Sequence, residues 1–389
     1  MLDFMYNAYT KVYFGKGKEK EVGKIITEYG YKKIMMQYGK ESIKKSGLYD
    51  VVMNSLKENN IEVVEMGGVE PNPKLDFVRK AAEVAKKEKV EMILAVGGGS
   101  VIDSCKATAV AAANNCDVWD VISRKIKPKT SIPVASILTI SAAGSEMSNS
   151  AVITNMDENM KRGFNGEYNR CKFSICNPEL TFTVSKYQTA CGVVDIMAHT
   201  LERYFTPYPP TELTDRISEG LMKAVVSAGS VAVEKPDDYD ARANLMWASS
   251  LSHNGLTDCG REYYLCVHQI EHGLSGEFDF VPHGAGLAVL LPAWGKYMYK
   301  NHPSRFAGFA RGVFDVNEDD GMECARLGVE KMAQFFSSIG MPKSIREFGI
   351  KEDALPRIAY LTTFGKTRTI QSLTDLDYDK ILEILKIAY

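Results

Sequence analysis

The chain has 389 residues, 45% of them hydrophobic and 25% charged, enough for two folded cores of about 150 to 200 residues each. A formal net charge of −2, with no Lys/Arg stripe interleaved with aromatics, argues against a nucleic-acid partner. The first thirty residues carry polar groups throughout and no run approaches the roughly 18 apolar residues of a membrane span, so neither a signal peptide nor a membrane partner is expected, and the protein is placed in the cytoplasm.

From the N-terminus to about residue 180, short β-branched or apolar runs at 33–39, 61–68, 91–99 and 132–139 alternate with helical patterns such as 74–88 and 100–114. That alternation predicts an α/β domain over residues 1–182, with a parallel sheet covered by helices. Its most informative stretch is EMILAVGGGSVIDSCK, where a buried strand ends at Val96, three glycines turn the chain and a helix opens at Ser100. Backbone N–H groups and the positive end of the helix dipole converge there, which suits a phosphate, although any tight strand-to-helix connection also favours glycine. Neither a GxGxxG fingerprint nor a GxxxxGK[ST] loop is present. Asp103 and Lys106, one turn apart, either hold this loop, approach a nucleotide or form a plain surface ion pair.

After NPELTF at 177–182 the strand-like runs give way to helical periodicity at 185–204, 212–233, 240–254 and 323–339, which predicts an all-helical second domain over 183–389. In CGVVDIMAHTLERYF, Asp195 and His199 stand four apart and project from one face of one helix. His268 and His272 repeat the spacing in VHQIEHGLSG, read as a second helix stopped by Gly273 and Gly276. His283 follows on a Pro/Gly-marked turn that can bring an imidazole back toward the two helices. One carboxylate with two or three imidazoles suits a divalent transition metal, Fe²⁺ or Zn²⁺, with room left for water or a substrate oxygen. The other two of the six histidines, His253 and His302, have no such spacing and are assigned no role. Cys105, Cys116, Cys171, Cys176, Cys191, Cys259, Cys266 and Cys324 are scattered without a CxxC, as reduced thiols in a reducing compartment would be. Trp119, Tyr263, Tyr264 and Phe278 are either pocket walls or core.

The segments AVGGGSVIDSCK, LTISAAGSEMS, NPELTFTVSKYQTACGVVDIMAHTLERYF and VHQIEHGLSGEFDFVPHGAGLAVLLPAW together resemble the iron-containing, or group III, alcohol dehydrogenases, and among them the NAD(P)H-dependent butanol dehydrogenases. The resemblance covers nearly the whole chain. Where many members read TTAGTGSE, this chain has TISAAGSE at 139–146, so individual hydroxyl contacts there do not carry over.

The resemblance implies the dehydroquinate synthase-like fold of that family: a Rossmann-like dinucleotide-binding domain, a helical metal-binding domain and an active site in the cleft between them. It assigns Asp195, His199, His268 and His283 as metal ligands and His272 as a non-coordinating proton relay. It further implies that Gly98, Gly99 and Ser100 bind the pyrophosphate, that Asn72 contacts the nucleotide, and that Thr139, Ser148, Ser150 and Lys161 line the cofactor groove; Asp103 is kept as a cofactor-site candidate from its place on the opening helix. Relatives that select NAD place an Asp after the second strand, where it accepts from the ribose 2′-hydroxyl and repels a 2′-phosphate. This chain has Gly39, then Lys40, with Ser42 nearby, so a cation and a hydroxyl are offered and NADP(H) is favoured over NAD(H). Glu41 in a shifted register would instead keep NAD. The implied reaction is hydride transfer between NAD(P)H and a short- to medium-chain primary alcohol or aldehyde at a Lewis-acidic metal, by a homodimer. A metal-dependent hydrolase would not need the glycine-turn half, and a non-catalytic metal or nucleotide sensor would not need an uncoordinated His272.

Overall fold

The computed structural model describes residues 1–158, 160–207 and 210–389. They divide into two compact units, Ala8–Thr183 and Val184–Tyr389, the second joined by Met1–Asn7. The sequence placed those seven residues with the α/β half. Their contacts are with the helical unit: the Leu2 N–H donates to the Gly260 carbonyl at 2.8 Å, and Asn254 donates to the Tyr6 hydroxyl at 3.4 Å.

The first unit holds a six-stranded parallel sheet of Lys11–Phe14 (β1), Lys33–Tyr38 (β2), Glu62–Gly67 (β3), Met92–Gly97 (β4), Val134–Leu138 (β5) and, later in the chain, Phe173–Cys176, in the order β1, Phe173–Cys176, β5, β4, β2, β3. An antiparallel hairpin of Ser150–Asn155 (β6) and Met160–Asn165 (β7) precedes that last strand, β8. The helices are Val22–Glu28 (α1), Ser42–Lys45 (α2), Leu48–Glu58 (α3), Leu75–Glu88 (α4), Gly99–Asn114 (α5) and Val118–Ile122 (α6). Central strands bear the apolar runs that a sheet covered on both faces requires, and every residue of β4 is buried. The four strands read from the sequence, β2 to β5, agree with the structure. β1, β6, β7 and β8 were not read, because each is short or lacks a clean apolar run.

After β2 the chain turns outward to β3, then returns to the other side of β2 to form β4 and moves on to β5. The carboxyl ends of β2 and β4 therefore flank the point where the winding reverses, the place where open α/β sheets bind ligands. Gly39 follows one of these ends and Gly97–Gly99 the other.

The second unit is helical: Lys186–Tyr204 (α7), Glu212–Glu234 (α8), Tyr239–Ser252 (α9), Cys266–Glu277 (α10), His283–Met298 (α11), Pro303–Phe314 (α12), Gly321–Ser338 (α13), Leu355–Thr362 (α14) and Tyr378–Ala388 (α15). Helix α7 is its axis, with every residue from Thr189 to Tyr204 buried, and its N-terminus is capped by Ser185 accepting from Gln188 N–H. Two expectations need correcting here. Gly273 does not stop a helix, since α10 runs through it and ends at Glu277, one residue past Gly276. A Cβ on Gly273 would stand 2.1 Å from Thr362 Oγ1, so this glycine is there to let α14 approach. His283 is not on a turn but is the first residue of α11, with Pro282 at its N-cap.

Candidate functional site

Helix α7 presents Asp195 and His199 one turn apart, α10 presents His268, and the start of α11 presents His283. The Nε2 atoms of His199, His268 and His283 lie 3.5, 3.5 and 3.8 Å from one atom, Asp195 Oδ1. Four ligands at about 2.1 Å from a tetrahedral metal are separated by about 3.4 Å, close to the spacing of each imidazole from Asp195 Oδ1. The ligand atoms of Asp195, His199 and His268 lie within 4.8 Å of one another, and those of Glu271, His272 and His283 form a second such group beside them. Asp195 Oδ1 and His268 Nε2 are also buried with no hydrogen-bond partner among the described residues. Buried polar atoms in that condition cost free energy unless a ligand satisfies them, and one divalent metal would satisfy both.

Close backbone packing creates this convergence. A Cβ on Gly284 would stand 2.2 Å from the Cys191 carbonyl oxygen, so α11 rests on the backbone of α7 just beside its first residue, His283. The ligands are backed by carboxylates that the sequence reading missed. Glu202, one turn beyond His199, hydrogen-bonds His268 Nδ1 and accepts from the N–H groups of Val267 at 2.5 Å and His268 at 3.2 Å, so it caps α10 and orients its ligand together. Glu271, fully buried, hydrogen-bonds His283 Nδ1. Such partners set the imidazole tautomer that leaves Nε2 for the metal. Their signal was present as helical spacing, His199 to Glu202 and His268 to Glu271, but nothing local tells a backing carboxylate from a solvated one.

The electrostatics follow. Burial works against a charged His268, yet the Glu202 carboxylate beside it prevails and raises its pKa to about 9. For His199, burial, with the rings of His253 and His268 alongside, holds it well below the usual histidine value. His253, given no role above, lies with its ring centroid 4.1 Å from that of His199, which is a correction. His302 is elsewhere, its Nε2 2.9 Å from the Thr374 hydroxyl. His272 is only partly buried, its ring centroid 5.8 Å from that of His283.

In the α/β unit the glycine turn is shaped by close approach rather than by positive φ: a Cβ on Gly97 would meet Val101 at 2.5 Å and one on Gly98 would meet Ile140 at 2.3 Å. Asp103 and Lys106 are not a surface ion pair. The Lys106 side chain is fully buried, and its ammonium donates to the carbonyls of Ser145 (2.7 Å), Ser148 (3.1 Å) and Ser150 (2.8 Å) and to the hydroxyls of Ser145 and Ser148. Asp103 accepts from the Ser145 hydroxyl at 2.6 Å and from Val152 N–H at 3.0 Å. Burial lowers the Lys106 pKa and raises that of Asp103. Together they bind the 145–152 segment to α5. Ser148, 1% exposed with its hydroxyl on Lys106, belongs to this internal brace rather than to an open groove wall.

Of the other nucleotide-site candidates, Gly99 and Ser100 begin α5, Thr139 N–H donates to the Gly97 carbonyl at 3.1 Å, and Ser150 and Lys161 lie on the β6–β7 hairpin. Asn72 adopts φ 51° beside Pro73, whose carbonyl accepts from Thr154 of that hairpin at 2.9 Å. Lys40 is exposed and paired with Glu70 at 2.8 Å, while Ser42 opens α2 on the surface. Trp119 is buried with its indole N–H on Glu158, and the half-buried Tyr263 ring lies under the Arg203 guanidinium at 4.4 Å.

Comparison with known proteins places this geometry. The iron-containing alcohol dehydrogenase family matches residues 9–178, and the C-terminal region of the Fe-containing alcohol dehydrogenase family matches 189–389. The chain is 42% identical to NADH-dependent butanol dehydrogenase A of Clostridium acetobutylicum, over 100% of both chains, and 31% identical to the NADPH-dependent aldehyde reductase YqhD of Escherichia coli, over 92% of each. The crystal structure of NADH-dependent butanol dehydrogenase A from Thermotoga maritima superposes with a TM-score of 0.96 at 40% identity, covering 100% of this chain and 99% of that one. The chain belongs to the iron-containing alcohol dehydrogenase family. Its activity is that of an NAD(P)-dependent alcohol dehydrogenase and aldehyde reductase, which displaces the hydrolase and sensor readings.

Proposed function

We propose that this enzyme interconverts short- to medium-chain primary alcohols and aldehydes of the butanol and butanal kind. The observation that carries the reading is the set of three imidazole nitrogens within 3.8 Å of one Asp195 oxygen. Asp195, His199, His268 and His283 would hold one Fe²⁺ or Zn²⁺. When bound, that metal supplies Lewis-acid polarisation of the substrate oxygen. Gly98, Gly99 and Ser100 offer N–H groups at the start of α5 to the pyrophosphate, and Lys106 with Asp103 fastens the 145–152 segment to the same helix. Asn72, Thr139, Ser150 and Lys161 contribute to the groove around the nucleotide. His272, nearer to solvent than the buried ligands Asp195, His199 and His268, moves the proton between substrate oxygen and water.

Gly39 in place of a carboxylate, with Lys40 and Ser42 following, supports NADP(H) and aldehyde reduction. A specific observation favours NAD(H) instead: Glu70 engages the Lys40 ammonium and brings its own negative charge to the same spot. Two further readings rest on the fold. The edge position of β1 supports a homodimer, and the eight free thiols support a cytoplasmic setting.

The test is absorbance at 340 nm with butanal and either NADPH or NADH, before and after EDTA and after return of Fe²⁺ or Zn²⁺. Oxidation that needs both aldehyde and metal is expected, and the ratio of the two rates names the cofactor. One metal per chain with no turnover of any short or medium aldehyde would overturn the substrate reading. For His272→Ala, slow turnover with full metal content is expected; loss of metal would make it a ligand.

A further inference from the structure

Five of the six histidines form one continuous run of rings. His253 lies 4.1 Å from His199, His199 4.3 Å from His268, His268 5.3 Å from His283 and His283 5.8 Å from His272, measured between ring centroids. The run begins at a residue that no ligand set explains.

The three imidazole ligands are not supported alike. His268 and His283 each have a buried carboxylate at Nδ1, from Glu202 and Glu271. Behind His199 there is instead Arg203, whose guanidinium donates to the His199 carbonyl at 2.7 Å and stands 3.4 Å from Nδ1. A guanidinium has no acceptor and cannot take the Nδ1 proton as a carboxylate does. The closest support for the ring itself is His253, inclined at only 30° to it, with His268 at 38° on the same imidazole.

The His253 backbone is well anchored for that purpose. It is the residue at which α9 ends, and α9 packs on α7. The turn after it is closed by Asn254 accepting from Leu256 N–H at 2.9 Å and by Gly255 at φ 99°. Asn254 also donates to Tyr6, so the N-terminal segment fastens the same turn. Such anchoring fixes the point from which the ring extends.

We propose that His253 is a positioning residue for the metal centre, its imidazole packed on His199 and holding that ligand in plane where a carboxylate holds the other two. This rests on the metal-site reading above. The support required is a flat ring in van der Waals contact, so phenylalanine should replace histidine at 253 and leucine, of similar bulk but not flat, should not.

The experiment uses the full-length protein, stripped with chelator and reloaded with Co²⁺, whose visible bands report ligand geometry and whose release to excess EDTA reports retention. The wild-type chain is expected to take one Co²⁺, and His268→Ala none. If wild type binds no Co²⁺, the metal-site reading fails, whatever position 253 does. With wild type loaded, His253→Ala and His253→Leu should shift the visible bands and release the ion about tenfold faster, in line with the loss seen when a ligand's outer support is removed. His253→Phe should restore both, and the far-UV spectra of the stripped variants should match that of wild type. Wild-type bands and release in His253→Leu would overturn the proposal, as would a His253→Phe variant no better than His253→Leu. Should His253→Ala fail to fold, the leucine and phenylalanine pair still decides.

Discussion

The helical unit and the α/β unit prepare their ligand sites in opposite ways. At the metal centre, buried polar atoms gather around one position with no hydrogen-bond partner among the described residues, as with Asp195 Oδ1 and His268 Nε2. At the glycine turn, the buried polar atoms are satisfied internally: the Lys106 ammonium and the Asp103 carboxylate are both used to fasten a serine-rich segment. What the turn offers outward is backbone at the end of a helix. The first arrangement holds free energy that only a cation releases, and the second is a rigid mould formed without its ligand. A metal needs several donors around one point, whereas a pyrophosphate needs a concave, unobstructed backbone.

That contrast predicts a double dissociation. Asp195→Ala should have the largest effect, with metal absent by elemental analysis and aldehyde reduction down by at least about a thousandfold, since the several kcal/mol of transition-state stabilisation come from the metal. Binding of NAD(P)H, followed by its fluorescence, should be nearly unchanged; a loss there would join what the comparison separates. Gly284→Ala pushes α11 off the α7 backbone at the Cys191 carbonyl, which cannot yield as a side chain could. A displacement of about 1 Å at His283 should lower turnover on the order of a hundredfold with weaker metal retention. Retained turnover in that variant would mean the helices give way together.

On the other side, Lys106→Met removes the ammonium from three carbonyls, two of which keep a longer bond from Ser148, and should cost the α/β unit about 3 kcal/mol by denaturant titration. Metal content of the native protein should stay at one per chain. The smallest effect is expected from Gly98→Ala, where the new methyl meets Ile140. An overpacking cost of about 1.4 kcal/mol would weaken cofactor binding about tenfold, and Ile140→Ala in the same chain should restore it. If the double variant is no better, Gly98 is needed for the cofactor's own approach.

The sequence carried more of the metal centre than of its supports. Asp195 with His199, and His268 with His272, were legible because four-residue spacing places two side chains on one helical face, a local rule needing no knowledge of the fold. Glu202 and Glu271, each three residues past a histidine, also share a helical face with it and were passed over, since a carboxylate on a helix looks the same whether it backs an imidazole or faces water. His253 had no spacing to reveal it; its neighbour His199 is brought to it by the packing of α9 on α7. Gly273 was misread as a stop because glycine marks both helix ends and close helix contacts, and only the presence of Thr362 opposite it decides between them.

By itself, then, the sequence determined what short-range periodicity can encode: the succession of strands β2 to β5 and of the principal helices, the glycine turn between β4 and α5, and the residue types that suit a divalent metal and a dinucleotide. Only the tertiary structure decided which groups meet. It put Lys106 and Asp103 inside, tied Met1–Asn7 to the helical unit, seated α11 on the Cys191 carbonyl and stacked His253 on His199. The reason is physical: hydrogen-bond spacing along a helix or strand repeats within a few residues, whereas the contact of two surfaces distant in the chain depends on the shape of everything folded between them.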